Sequence, residues 1–203
     1  MNSVSHKPGD IVKLAGIDFV VLDNLEDDDL FLLAVNNQGE SRFGDSNNYA
    51  ESDLKEAVDE WLYRLTEKIE EKHGGGSDFI KHRTIDLMTL DGYKGYGKLE
   101  VAAAPLTLDE YRKYADIIPN GDDWSWMATG WGRPGNGGAA YAWSVNSHGD
   151  YGNGGCSYSG GIRPALVLSS SLFDSEKKEA DLTEVSTDAL INELRRRIEG
   201  AMV

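Results

Sequence analysis

The side chains that could do chemistry are few and far apart. Four histidines, His6, His73, His82 and His148, and one cysteine, Cys156, stand in 203 residues with no His-x-x-x-His or Cys-x-x-Cys spacing among them. Metal hydrolysis needs ligands that converge from such spacings, so no metal site is expected. Gly155-Cys-Ser-Tyr-Ser159 departs from the Gly-x-Ser-x-Gly nucleophile turn at its last position and leads into an expected strand instead of a helix. Gly130 to Gly138 is rich in glycine but lacks the Gly-Lys-Ser/Thr ending that wraps a phosphate. Cys156 and His148, eight residues apart, would need a third group to orient them as a nucleophile pair, and the thiol reads as inert. No catalytic residue and no cofactor are assigned.

What the chain offers instead is the composition of a recognition surface. The stretch Asn120 to Ser169 holds Trp124, Trp126, Trp131 and Trp143, and from Tyr141 to Gly161 fifteen of twenty-one residues are Tyr, Ser, Gly or Asn, with Asp150 the only formal charge. Tyrosine supplies stiff amphipathic area while Ser, Asn and Gly supply adaptable hydrogen bonding, whereas an ordinary solvated loop would carry Lys and Glu. The expected ligand contacts are Trp131, Tyr141, Asn146, His148, Asp150, Tyr151, Asn153, Ser157 and Tyr158, of which Tyr151, Asn153, Ser157 and Tyr158 are expected to project from loops, exposed, on the same face as Trp131. A second reading stays open: these are long turns of a β domain.

The elements around this stretch must hold it. Trp124 and Trp126 alternate with Ser125 and Met127, and Tyr141, Trp143 and Val145 do the same, so two adjacent half-buried strands joined by a Gly-rich loop are expected. Ile162 to Leu168 reads as a closing strand that Pro164 restricts to an edge or a bulge. Trp124, Trp126 and Arg163 are assigned structural roles. An arginine in an apolar strand is costly unless paired, so Arg163 is expected partly buried on carboxylate or loop carbonyls, the alternative being an edge position in water.

Upstream, Gly9 to Val35 reads as a three-stranded meander with an Ala15-Gly16 turn, followed by a polar loop from Arg42 to Ala50. Ser52 caps a helix whose face is Leu54, Val58, Trp61, Leu62, Leu65 and Ile69, ending at Gly74. Strands are expected at Ile85 to Leu90 and Leu99 to Leu106, and Thr107-x-x-Glu110 is a capping box that opens a short helix. After Phe173, residues 174–185 read as a charged linker and 186–203 as a capped helix with Leu190, Ile191, Leu194 and Ile198 in a stripe, suited to docking on its own domain or to self-association.

Composition narrows the partners. A net charge of −15 opposes binding to a nucleic-acid backbone, which rests on Lys and Arg. No apolar leader and no run of eighteen apolar residues is present, so membrane insertion is not expected. The expected location is cytoplasmic as synthesised, with virion or cell-surface association needing no signal peptide.

Seven ordered segments between residues 9 and 173 resemble an uncharacterised domain-of-unknown-function family of gut Firmicute and phage proteins. They are Gly9-Asp-Ile, Asn47-Asn-Tyr-Ala-Glu-Ser52, His82-Arg-Thr-Ile-Asp-Leu87, Leu90-Asp-Gly-Tyr-Lys-Gly-Tyr-Gly97, Leu106 to Tyr114, Trp124-x-Trp126 and Gly161-Ile-Arg-Pro-Ala-Leu166. The aromatic pair and the closing Gly-Ile-Arg look like the C-type-lectin-like fold of formylglycine-generating enzymes and of the variable proteins of diversity-generating retroelements. That resemblance implies a compact α+β domain over 1–173 with antiparallel strands, one long and one short helix, Gly-rich loops and last strands that present a protein or glycan ligand surface. The enzymes need two active-site cysteines, and this chain has one. Calcium-dependent sugar motifs are not matched by Ile118-Pro-Asn120 or by Trp143-Ser-Val-Asn146. The expected function is a non-enzymatic receptor-binding or variable protein, with a phage structural or decoration unit as the alternative and a formylglycine-type enzyme as a third.

Overall fold

The computed structural model describes residues 6–135 and 137–173, so the expected linker 174–185 and helix 186–203 lie outside the described residues. Ser5–Ser170 form one compact unit, an α+β arrangement of mostly antiparallel strands. The meander comes first. β1 (Ile11–Leu14) turns through Ala15 and Gly16, both at positive φ, into β2 (Ile17–Asn24), and β3 (Asp29–Ala34) follows the acidic loop. Val20, Leu22, Phe31 and Leu33 then share one core with Ala165 and Val167 from the other end of the chain.

The segment expected as a polar loop is a strand and a buried corner. β4 (Glu40–Arg42) leads to Phe43, Asn47 and Tyr49, all buried, because aromatic rings among the Asn and Ser residues find room against Trp126. Ser52 caps α1 (Asp53–His73), its Oγ accepting from the Lys55 amide at 3.0 Å, and Leu54, Val58, Trp61, Leu65 and Ile69 are buried as the spacing predicts, while Leu62, at the border of that face, is half-buried. Each such side chain contributes roughly 1.5–3 kcal/mol by leaving water.

Next come β5 (Ile80–Lys81), β6 (Arg83–Asp86), β7 (Lys98–Val101) and β8 (Ala103–Ala104). The strand expected at Ile85 to Leu90 is therefore displaced towards β6, and that expected over Leu99 to Leu106 is divided between two sheets: β7 pairs with β6, and β8 pairs with the closing strand. The capping box forms as read, with Thr107 and Glu110 bonding reciprocally at the start of α2 (Leu108–Tyr114). Glu110 also pairs with Arg83 of β6, tying this cap to the strand.

β9 (Ser125–Gly130), β10 (Tyr141–Val145), β11 (Tyr151–Gly155), β12 (Ser159–Gly161) and β13 (Ala165–Ser169) complete the chain. One sheet runs β1-β2-β3-β13-β5, with β8 also on β13; the second runs β11-β10-β9-β12-β4. Three expectations change here. β9 is buried on both faces, not half-buried, because side chains of α2 lie on one side of it and Phe43 on the other. The closing strand is central, and Pro164 escapes the cost of a missing donor by standing just before it, where its carbonyl accepts from Ala34 N–H at 2.9 Å. Tyr151 and Asn153 lie on a strand, not a loop, since the Asn146 to Asp150 turn folds β11 back along β10.

Candidate functional site

Register decides which side chains of the second sheet meet. Tyr141 faces Gly155, Trp143 faces Asn153 and Val145 faces Tyr151, so these six positions share one face of the β10-β11 ribbon. Trp131, half-buried at the end of β9, packs on Trp143 with ring centroids 4.9 Å apart, and Trp143 packs edge-on against Tyr151 at 5.6 Å. A Cβ on Gly155 would lie 3.5 Å from the Tyr158 ring, which places that ring on the same face. Leu108 and Tyr111 of α2 cover the Val145 end. The remainder opens to solvent, with Tyr141, Tyr151 and Tyr158 exposed by 46, 61 and 67 %.

Among the expected contacts, Trp131, Tyr141, Tyr151, Asn153 and Tyr158 are thus assembled on one surface, and Ser157 is exposed in the turn beside Tyr158. Asn146 serves the turn. Its Oδ1 accepts from the amides of His148 at 2.8 Å and Asp150 at 3.0 Å, while its amide N–H donates to the Asp150 carbonyl. His148 and Asp150 are exposed at this tip, and the Tyr111 hydroxyl donates to the Gly149 carbonyl at 3.0 Å, fixing the tip to α2.

The Gly-rich loop 131–140 is braced from two sides by residues that composition did not single out. Asn47 is buried, and its side-chain amide donates to the carbonyls of Gly132, Gly138 and Tyr141 at 2.9, 3.0 and 2.9 Å while its Oδ1 accepts from the Tyr96 hydroxyl at 2.7 Å. Gly130 has to be glycine, since a Cβ would stand 2.7 Å from that same amide. From the other side, Asp91 accepts from Thr89 Oγ1 at 2.5 Å and from Arg133 Nε at 2.9 Å, and these bonds hold its carboxyl well below the usual range. No local pattern marks Asn47, because Tyr96 lies 49 residues away and the three carbonyls more than eighty.

The residues assigned structural roles behave as anchors. Arg163 is buried; its Nε donates to the Ala34 carbonyl at 2.8 Å and an NH2 to the Pro119 carbonyl at 2.7 Å. Burial lowers its pKa while Tyr111 and Asp122 oppose the shift, so the loop following α2 is fastened to the first sheet by a buried cation. Trp126 is buried against Phe43 at 5.5 Å with its indole N–H on the Ser41 carbonyl, and Trp124 stands edge-on to it at 4.9 Å, one residue before β9.

Cys156 is buried, and burial pushes its thiol up to about 12, which leaves it protonated at neutral pH. Among the described residues no group of three His, Cys, Asp or Glu converges as a metal site, and no helix is long and apolar enough to cross a membrane. Two clefts of about 330 and 220 Å3 lie along α1, lined by Tyr63 and Glu67 and by Trp61 and Arg64 respectively, and share no residue with the aromatic face. One feature of that face asks for a partner: the Trp143 indole N–H is buried and has no acceptor among the described residues, a state that costs about 1–3 kcal/mol. Compared with known proteins, the chain matches no family model, no curated protein and no solved structure.

Proposed function

We propose that this protein is a non-enzymatic recognition domain that binds a protein or glycan through the outer face of β10 and β11. The observation that carries the reading is the exposure of Tyr141, Tyr151 and Tyr158 on a ribbon whose neighbouring loop is fastened by Asn47 and Asp91. Large apolar rings left in water on a rigid support suit binding, since little ordering is needed when the ligand arrives.

The segment resemblance extends the proposal to a C-type-lectin-like receptor-binding or variable protein of phage or prophage origin. A phage structural or decoration unit is the second reading, favoured by the amphipathic stripe Leu190, Ile191, Leu194 and Ile198 beyond a charged segment. A neighbouring reverse transcriptase and template repeat in the flanking DNA would favour the variable protein.

The test replaces Tyr151 and Tyr158 together by Ala and follows binding to a glycan array and to displayed peptides. Binding should be lost, each ring contributing on the order of 2 kcal/mol, while stability changes by no more than about 0.5 kcal/mol per substitution. Unfolding of the double variant, or wild-type binding that survives in it, would remove this face from the function.

A further inference from the structure

We propose that β11 is an acceptor edge: it takes an extended, neutral-to-basic peptide segment of a partner protein as an added strand. This rests on the recognition reading above and names its ligand class. The first observation is position. β11 ends the second sheet, and among the described residues no strand pairs with its outer side.

The second observation is which backbone groups point outward. Asn146 N–H donates to the Asp150 carbonyl at 2.9 Å, Cys156 N–H donates to the Ala140 carbonyl at 2.8 Å, and between these closed pairs the register runs Ser144 to Gly152 and Ala142 to Gly154. Antiparallel ladders alternate, so Gly152 and Gly154 turn their backbone groups to β10 while Tyr151, Asn153 and Gly155 turn theirs away. The Gly155 carbonyl is taken by the Tyr158 amide at 2.9 Å. What remains is a donor and acceptor on Tyr151 and on Asn153 and a donor on Gly155, recurring every two residues or about 6.8 Å, the repeat of a facing polypeptide strand.

The third observation is the lack of protection. Of the other strands that end the two larger sheets, β1 carries Lys13, β5 carries Lys81 and β4 carries Glu40 and Arg42, charges that discourage edge pairing, and β8, only Ala103–Ala104, is too short to template a strand. Tyr-Gly-Asn-Gly-Gly carries neither charge nor proline. An edge left open where the others are blocked is suited to strand addition, in which main-chain bonds give affinity and alternate side chains give specificity.

Charge and register select the occupant. The chain has a net charge of −15, and Asp150 next to the edge is the only formal charge from Tyr141 to Gly161, which favours a neutral or basic segment over a second copy of this chain. Residues of the added strand opposite Tyr151 and Asn153 point to the face that holds the exposed Tyr151 ring, so apolar or aromatic residues belong at alternate positions.

The experiment selects a random peptide library displayed on phage against the full-length protein and measures the enriched peptides in solution. Enriched sequences should alternate apolar residues with at least one Lys or Arg, and their binding should slow amide exchange at Asn153 and Gly155. Asn153→Pro, which removes an outward donor, should weaken them about tenfold or more. Because the proline variant can also disturb the ribbon, the exchange measurement on wild-type protein stands as an independent check. Peptides that leave those amides unprotected, or that bind Asn153→Pro as tightly as wild type, overturn strand addition. Dimerisation abolished by Asn153→Pro, or glycan-array binding abolished by the Tyr151 and Tyr158 double variant without any enriched peptide, also overturns it while leaving recognition by this face intact. Absence of both peptide and glycan binding overturns both.

Discussion

The two faces of the β10-β11 ribbon are built from the same few residue types and use them in opposite ways. On the inner face a Cβ at Gly154 would stand 2.8 Å from the Trp126 ring, and in β12 of the same sheet the Trp124 ring lies over Gly160, so these glycines are space for tryptophan. On the outer face, Gly155 lies beneath Tyr158, and Trp131, Trp143 and Tyr151 form a row of rings that ends in water. A stretch rich in Gly and aromatics is thus half packing and half surface. Which half a residue joins depends on the parity of its position in the ladder.

If that division is right, substitutions on the two faces part sharply in effect. The largest is Trp126→Ala, which empties a site enclosed by Phe43 and the ribbon and should cost about 3–5 kcal/mol in a denaturant titration. Gly154→Ala should cost about 1–3 kcal/mol, because Trp126 is buried and cannot give way; an unchanged midpoint would mean that the inner face is looser than described. The smallest effect on stability concerns acid. Asp91 is held below the usual carboxylate range by Thr89 and Arg133, so its bond to Arg133 is complete above that range and is lost as pH falls through the lowered value. The Arg133 Nε proton resonance should shift only in strong acid, with little change in the melting temperature. A shift already complete at the pH where free carboxylates titrate would show that Asp91 does not brace the loop.

Much of the fold is legible in short-range pattern, and the exceptions share a cause. α1, α2 with its capping box, the meander and the pairing of the Trp126 strand with β10 follow from local periodicity and caps. β11 was not legible as a strand, since Tyr-Gly-Asn-Gly-Gly has neither β-branched residues nor an apolar alternation, and only its neighbours in the sheet make it one. Asn47 escaped for a related reason. A polar residue in a polar run carries no sign that it will be buried among three carbonyls of a distant loop. The candidate surface was legible by composition in its tyrosines, while Asn146 shows the limit: its side chain closes a turn, a use that composition cannot separate from contact with a ligand.

The place of β13 bears on how the chain is made. It pairs with β3 on one side and with β5 and β8 on the other, yet it is the last strand of the compact unit to leave the ribosome. Until it arrives, β3 has an open edge flanked by buried-type residues, Leu30 to Ala34, for the time taken to synthesise some 130 further residues. At roughly 5–20 residues per second that is about 7–26 seconds of exposure, long compared with the microseconds in which hairpins form. The nascent meander is then the part of this protein most in need of a chaperone, and a chain truncated before Ala165 should accumulate as aggregate even though every residue of the aromatic face has already been translated.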